Sequence, residues 1–279
     1  MEFAIFVLNQ LTHSMQKTLV QSILYFTLFS IASIAAALDD SIAAQVEATQ
    51  TAHNLESWWG KDLVEADVVI DFGGNQIVDG TFLFEAHGPK ARYDRADGTS
   101  IIFDGETAWL TPSDAKAPMG RFHVLTWPWF ILAPFKMAGD GIELSDLSTA
   151  VVDGQEYVTL FQTFADGEGD TPEDWYRFYI DPETDQIEAM SYIVTYGKET
   201  DEASDSVSII RYKDYSNEGG PVISRAYEFW YWNPDDNQFE GEKPKGTGKI
   251  SNVSYPEQSG DPFAIPDDAR KLELPAVNQ

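Results

Sequence analysis

The segment after residue 37 has the hydrophobic period of a helix. Between Leu38 and Trp59, the side chains of one helical face recur at spacings of three and four: Ile42, Val46, Thr49, His53 and Ser57. Alanines on the other faces favour the helical conformation, and Gly60 is a typical C-terminal stop. The pattern predicts a helix at the start of the folded domain.

After Gly60 the period changes to that of strands and stays so for most of the chain. Turn dipeptides such as Gly73-Gly74, Asp79-Gly80 and Asp104-Gly105 separate the candidates. Sequential strands joined by tight turns form an antiparallel sheet, so the predicted fold class is mainly β, with a single sheet. The candidate strands are Leu63–Asp71, Gly80–Ala86, Lys90–Asp94, Ser100–Phe103, Thr107–Thr111, Ile142–Leu147, Ala150–Val152, Tyr157–Phe164, Asp174–Ile180, Ile187–Tyr196, Val207–Tyr215, Val222–Trp232 and Lys249–Tyr255.

One segment interrupts the strand pattern. Residues Val124–Ala138 are almost entirely apolar and contain Pro128 and Pro134. The segment is shorter than the roughly 20 residues that cross a bilayer, and its prolines prevent a straight helix. We predict a short helix or two bent turns. Two interpretations stay open: a plug that fills the open side of a curved sheet, or a mobile lid over a ligand.

Three acidic or turn-rich segments have the composition of exposed loops: Asp166–Asp174, Lys198–Asp205 and Pro234–Lys249. In the first, Asp166, Glu168 and Asp170 place carboxylates at alternate positions, which is how calcium loops collect ligands. The spacing departs from that of an EF-hand, and the alternative is a solvated acidic hairpin tip. Beyond this weak calcium candidate, no metal site is predicted.

The N-terminal residues predict an export signal. Lys17 supplies a positive charge, Leu19–Ile34 form an apolar run, and Ala35 and Ala37 are the small residues that precede a cleavage site. The start is either Met1 or Met15, and Met15 is favoured because the first fourteen residues lack the features of a signal; we expect cleavage to follow Ala37. Residues 1–37 are then leader and signal peptide, and residues 38–279 form one exported domain, periplasmic or secreted.

An alternative for this segment is an uncleaved membrane anchor. The apolar run approaches the roughly 20 residues that a spanning helix needs. Its interspersed Gln and Ser residues weaken such an anchor, and the A-x-A site favours cleavage. If the segment is retained, the domain is tethered to a membrane.

Composition excludes several functions. The formal net charge of −28 is the wrong sign for a protein that binds nucleic acid. The chain contains no cysteine, which excludes disulfides, thiolate metal sites and cysteine nucleophiles. Its aromatic content of 13 % argues against disorder and for a large apolar core or binding site.

Signatures of catalysis are absent from the sequence. There is no G-x-S-x-G turn, no paired-histidine motif and no glycine-rich phosphate loop. His53, His87 and His123 are widely spaced and do not form a recognisable metal motif. We therefore predict a protein that is not an enzyme and needs no cofactor.

Two blocks of sequence resemble the LolA-type periplasmic lipoprotein carriers. The first, Gly80–Ala115, contains a strand, a Gly-Pro turn, an aromatic-rich strand and a hairpin that runs through Asp104-Gly105 to Trp109. The second, Tyr176–Val194, is similar to the family's strand, D-P-x-T turn and strand. The apolar W-P-W-F insert and the G-D-T-P loop are similar to those of uncharacterised exported LolA-like proteins.

This resemblance implies a half-open antiparallel barrel of about eleven strands, whose concave face is covered by an N-terminal helix and short lid helices. Family members hold acyl chains in that concavity. The carriers tether the lid with an arginine on the strand before the Gly-Pro turn, where this chain has Ala86 and His87. Arg92, one strand later, is the candidate replacement.

The leading hypothesis is an exported, monomeric carrier that binds a lipid or acyl chain and contacts membranes transiently. The second is an envelope sensor or scaffold that uses the same fold to bind another protein, and the third is a secreted hydrolase. For the carrier, the aromatic clusters supply the expected cavity and lid residues: Trp109, Trp127, Trp129, Phe130, Phe135 and Trp230.

Overall fold

The computed structural model describes residues 38–275, except for residues 168, 217 and 218. The predicted signal peptide therefore lies outside the described residues. The chain divides into two units, Met1–Ala44 and Gln45–Gln279. In the first unit, residues 38–44 are helical; the following paragraphs concern the second unit. Within the described residues, no helix combines the length and apolar character needed to cross a membrane.

The helices of the second unit are short. They are α1 (residues 45–52), α2 (Leu55–Trp58), α3 (Gly120–Ile131), a 3-10 helix (Ala133–Lys136) and α4 (Thr200–Ser204). The apolar insert thus forms α3 and the 3-10 helix, as the two prolines suggested. The predicted loop Lys198–Asp205 contains α4.

The N-terminal helix ends earlier than predicted, at residue 52 rather than at Trp59. Asn54 has a left-handed backbone with φ of 60°, and its Nδ2 donates a hydrogen bond to the Gly220 carbonyl at 2.9 Å. This contact with a distant loop breaks the helix. On the face defined by the predicted spacing, Val46 and Thr49 of α1 are buried, and so is His53 just beyond its end.

The described residues form one antiparallel sheet. Its strands are β1 Leu63–Phe72, β2 Asn75–Glu85, β3 Ala91–Arg95, β4 Ser100–Phe103, β5 Ala108–Thr111, β6 Ile142–Val152, β7 Gln155–Phe164, β8 Tyr176–Ile180, β9 Ile187–Tyr192, β10 Ser208–Tyr215, β11 Ser224–Asn233, β12 Gln238–Glu240, β13 Gly246–Ser254 and β14 Arg270–Leu272. Their order is β14-β5-β4-β3-β2-β1-β13-β11-β10-β9-β8-β7-β6, with β12 beside β11. The sheet is not closed, which confirms the half-open architecture.

Strands β2 and β6 continue through positions where the sequence predicts a turn or a break. The pair Asp79-Gly80 is not a turn but part of β2, which begins after the turn at Gly73-Gly74. Gly80 is required by close packing: a Cβ there would lie 2.1 Å from the Asp94 carbonyl oxygen of β3. The predicted strands Ile142–Leu147 and Ala150–Val152 are one strand, β6, interrupted by a register shift between Ser145 and Ser148.

Both faces of the sheet carry apolar side chains. The inner face is the one on which α3 packs, and it includes Phe103, Tyr212 and Phe229. On the outer face, Leu63, Ile102 and Phe263 form one buried cluster. A second outer cluster forms around Tyr179, Ile209 and Trp232, with Phe239 of β12 packed against it. The C-terminal segment and the loop that contains β12 thus cover parts of the outer face.

Candidate functional site

Helix α3 is apolar on two opposite sides, as expected of a helix that is buried rather than amphipathic. One side packs into the inner face: Trp127 meets Phe229 at 5.9 Å between ring centroids, and Phe130 meets Tyr192 at 5.0 Å. Tyr212 Oη donates a hydrogen bond to the Phe130 carbonyl at 3.3 Å. This side has the role of the predicted plug.

The other side of α3 lines a cavity. Phe122, Leu125 and Trp129 are half-buried and face a volume of about 670 Å³. A volume of this size falls within the range of small-molecule binding sites, about 300–1,000 Å³. The cavity exists with α3 in place, so binding a ligand does not require α3 to leave the sheet.

The remaining walls come from the sheet and its loops. Phe84 of β2 and Phe103 of β4 line the cavity from one part of the sheet. Phe164 of β7 and Tyr176 of β8 line it from strands near the other end of the strand order. These aromatic rings make the cavity apolar over most of its length. Turn residues 85–90 and loop residues 169–174 complete it.

The carboxylates on the cavity wall are mostly satisfied by the protein itself. Asp174 accepts hydrogen bonds from the Thr195 backbone N–H at 2.7 Å, and from the Thr195 and Thr171 hydroxyls at 2.8 Å. Burial nevertheless raises the pKa of Asp174. Glu85 accepts the Lys90 backbone N–H at 3.1 Å.

An ion pair joins the first turn of α3 to the acidic loop. Arg121 Nε lies 2.6 Å from Asp170 Oδ2 and Arg121 Nη2 lies 2.7 Å from Asp170 Oδ1, a two-pronged geometry. The side chains are only 9 % and 13 % exposed. Arg121 also donates to the Glu106 carbonyl at 3.2 Å and lies over the Phe103 ring. This arginine therefore fixes α3 to two neighbouring loops.

The calcium candidate is not assembled as predicted. Asp170 is engaged by Arg121, Asp166 is exposed, and Glu168 lies outside the described residues. Across residues 38–275 with their three gaps, no group of His, Asp and Glu side chains is arranged to hold a metal ion.

Four of the six predicted aromatic residues lie in or beside the insert. Trp129 lines the cavity, whereas Trp127 and Phe130, on the opposite side of α3, are buried against the sheet. Phe135 stacks on Trp58 of α2, with ring centroids 4.6 Å apart. These residues build the helix support and one wall of the cavity.

The other two, Trp109 and Trp230, lie on the outer face. Alternation along β11 places Trp230 opposite Phe229, and its ring packs on Phe239 at 5.4 Å. Trp109 is on the same face as Ile102, its partner in β4, and its Nε1 donates to Asp104 at 2.8 Å. Neither residue lines the cavity.

Arg92 is also on the outer face, so it does not tether the lid. Its guanidinium pairs with Asp94 at 2.8 Å and donates to the Pro262 carbonyl of the C-terminal segment at 3.5 Å. The arginine that holds α3 is Arg121, which the sequence analysis missed. Its position three residues before the apolar segment Val124–Ala138 was the available signal.

The three histidines of the described region have separate roles. His53 Nδ1 donates to the Val222 carbonyl at 2.8 Å, and its Nε2 accepts the Ile187 backbone N–H at 3.2 Å. Burial lowers the pKa of His53 to about 4, despite the opposing effect of the Val222 hydrogen bond. Burial also lowers the pKa of His123 to about 4, and its Nδ1 accepts a hydrogen bond from Trp127 Nε1. The His87 ring packs on Trp58 and Trp59.

Sequence comparison finds neither a protein family nor a curated protein that matches this chain. Comparison of structures does find matches. A LolA superfamily protein from Nitrosomonas europaea aligns with a TM-score of 0.50 and 11 % identity, over 78 % of this chain and 94 % of that protein. This likeness at low identity concerns the fold.

Two further solved structures align with lower scores. A DUF1329 family protein from Desulfovibrio piger has a TM-score of 0.47 and 12 % identity, over 80 % of this chain and 96 % of that one. A proposed outer membrane lipoprotein-sorting domain from Vibrio parahaemolyticus has a TM-score of 0.45 and 10 % identity, over 77 % of this chain and 93 % of that domain. The alignment with the Nitrosomonas europaea protein confirms, for the architecture, the resemblance noted in the sequence: this chain has a LolA-like fold.

Proposed function

We propose that this chain is an exported, non-enzymatic carrier that binds a lipid or acyl chain in the cavity beside α3. The observation that supports the proposal is the second apolar side of α3, which faces about 670 Å³ of space between aromatic walls. A helix that served only as a plug would bury that side against the protein. Here Phe122, Leu125 and Trp129 remain half-buried, as ligand-contacting residues do before a ligand covers them.

The energetics of the cavity suit a carrier. Burial of alkyl groups contributes about 0.8 kcal/mol per methylene. A chain with ten buried methylenes therefore gains about 8 kcal/mol before the costs of association and ordering. Retention of a ligand does not require a polar anchor, although one can add selectivity.

Export is part of the proposal. The predicted signal, cleaved after Ala37, delivers residues 38–279 to the periplasm or the medium as one domain. The LolA-like fold supports the same location and the same class of ligand, since the LolA-type carriers are periplasmic and hold acyl chains. A carrier needs no cofactor and no catalytic group.

The proposal is tested by blocking the cavity. Leu125→Arg places a long cationic side chain on the cavity wall, because Leu125 lines the cavity and is half-buried. We expect this variant to lose at least about tenfold in affinity for Nile red and for hexadecanol that displaces it, which corresponds to about 1.4 kcal/mol.

Leu274→Arg is the matched control, because Leu274 is 48 % exposed and does not line the cavity. This variant should bind both probes as the unmodified chain does. Failure of the unmodified, delipidated chain to bind either probe contradicts the carrier function. Equal losses in the two variants contradict the assignment of the site.

A further inference from the structure

Lys136 occupies a fixed position on the cavity wall. It is the last residue of the 3-10 helix, and its backbone carbonyl accepts a hydrogen bond from Gln162 Nε2 at 3.0 Å. The same nitrogen donates to the Met137 carbonyl at 3.2 Å, and Gln162 is fully buried in β7. The lysine backbone is therefore anchored to the sheet, while its half-buried side chain lines the cavity.

The ammonium group of Lys136 has no counter-ion within the described part of the chain. None of the ion pairs there includes it, and no side chain there accepts a hydrogen bond from it. Burial is the cause that lowers its pKa. A partly buried charge without a partner is unfavourable. Binding of an anion next to the ammonium would offset this cost.

The neighbouring carboxylates do not fill this role. Asp170 is paired with Arg121, Asp174 accepts its hydrogen bonds from Thr195 and Thr171, and Glu85 accepts the Lys90 N–H. Asp140 also lines the cavity but is exposed, and it forms no ion pair with Lys136.

We propose that the ligand is a long-chain amphiphile with one anionic head group, a carboxylate or a phosphate, which Lys136 binds. The alkyl chain lies along Trp129, Leu132 and Phe164, which line the same cavity. A charge-assisted hydrogen bond to the ammonium gives the selectivity for the head group, and burial of the chain gives most of the affinity. This inference rests on the proposed carrier function and specifies its ligand class.

The test compares three ligands with the same chain: hexadecanoic acid, hexadecyl phosphate and hexadecanol. We expect the delipidated full chain to bind one or both anions at least about tenfold more tightly than the alcohol. In Lys136→Met the preference should disappear, while the affinity for hexadecanol stays within about twofold. The anion that shows the larger preference identifies the head group as carboxylate or phosphate.

Lys245→Met is the matched control, because Lys245 is another half-buried lysine but does not line the cavity, and its Nζ donates to Ser208 Oγ at 2.7 Å. This variant should keep the preference for the anion, and its loss there instead would overturn the assignment to Lys136. Equal affinity of the unmodified chain for all three ligands contradicts the anionic head group but leaves the carrier function intact. Binding of none contradicts both. Lys136→Gln repeats the test if the Met variant does not fold.

Discussion

At the scale of the residue, the buried side chain of His53 links the fold to pH. His53 is neutral in the fold, because burial disfavours its charged form and its Nε2 accepts the Ile187 backbone N–H. Its pKa of about 4 lies below the value of about 6.5 in the unfolded chain. Protonation therefore favours unfolding.

This linkage predicts a pH dependence of stability. The contribution of neutral His53 is fully present above about pH 6.5 and is lost as the pH falls toward 4, by about 3 kcal/mol. In His53→Gln, the fall in unfolding free energy between pH 7 and pH 4, measured by urea titration, should be smaller by about that amount.

His87→Gln, at an exposed position, is the control and should leave this fall unchanged. The raised pKa values of Asp174 and Glu188 act in the opposite direction, but they are common to all three proteins and cancel in the comparison. An unchanged fall in His53→Gln would show that His53 is not the group responsible.

At the scale of the element, α3 is positioned by the ion pair between Arg121 and Asp170. Unlike most surface ion pairs, this pair is largely buried. Removing one partner of a buried pair leaves the other charge without compensation, which costs about 3 kcal/mol or more. Arg121→Met should therefore lower the free energy of unfolding by about 3 kcal/mol, as measured by denaturant titration.

The control is Arg177→Met. Arg177 also pairs with an aspartate, Asp146, at 2.7 Å and lies over a phenylalanine ring, but its side chain is 29 % exposed. We expect a loss below about 1 kcal/mol there. Similar losses in the two variants would mean that the pair between Arg121 and Asp170 does not hold α3.

The elements themselves were largely predictable from sequence, because the strand period and turn dipeptides are local signals. The limits of prediction were set by distant contacts. The sequence predicts a turn at Gly80, whereas the glycine is there because β3 passes too close for a Cβ. The helix break at Asn54 depends on the hydrogen bond from its side chain to the Gly220 carbonyl.

The cavity was less predictable than the strands. Alternation shows that Phe229 and Trp230 face opposite sides of β11, but it does not show which side is inner. Both faces of this sheet are apolar in places, so aromatic content alone did not separate the cavity from the outer clusters. The Arg121–Asp170 pair joins residues 49 positions apart, which no local pattern reveals.

At the scale of the whole molecule, the predicted export signal and the LolA-like cavity support one account. In the proposed carrier, the net charge of −28 favours solubility of the chain while the cavity shields the apolar part of the ligand. The cation at Lys136 is a local exception to this negative charge, and in our proposal it selects the head group of the ligand.

The central claim is that the cavity holds a lipid. The most direct measurement is native mass spectrometry of the chain purified without detergent from the envelope fraction, alongside Leu125→Arg prepared in the same way. The account predicts a single non-covalent adduct, with the mass of one long-chain lipid, on the unmodified chain and a much smaller amount of it on Leu125→Arg. An unmodified chain without any adduct, which also fails to acquire one from added hexadecanoic acid, hexadecyl phosphate or hexadecanol, would contradict it.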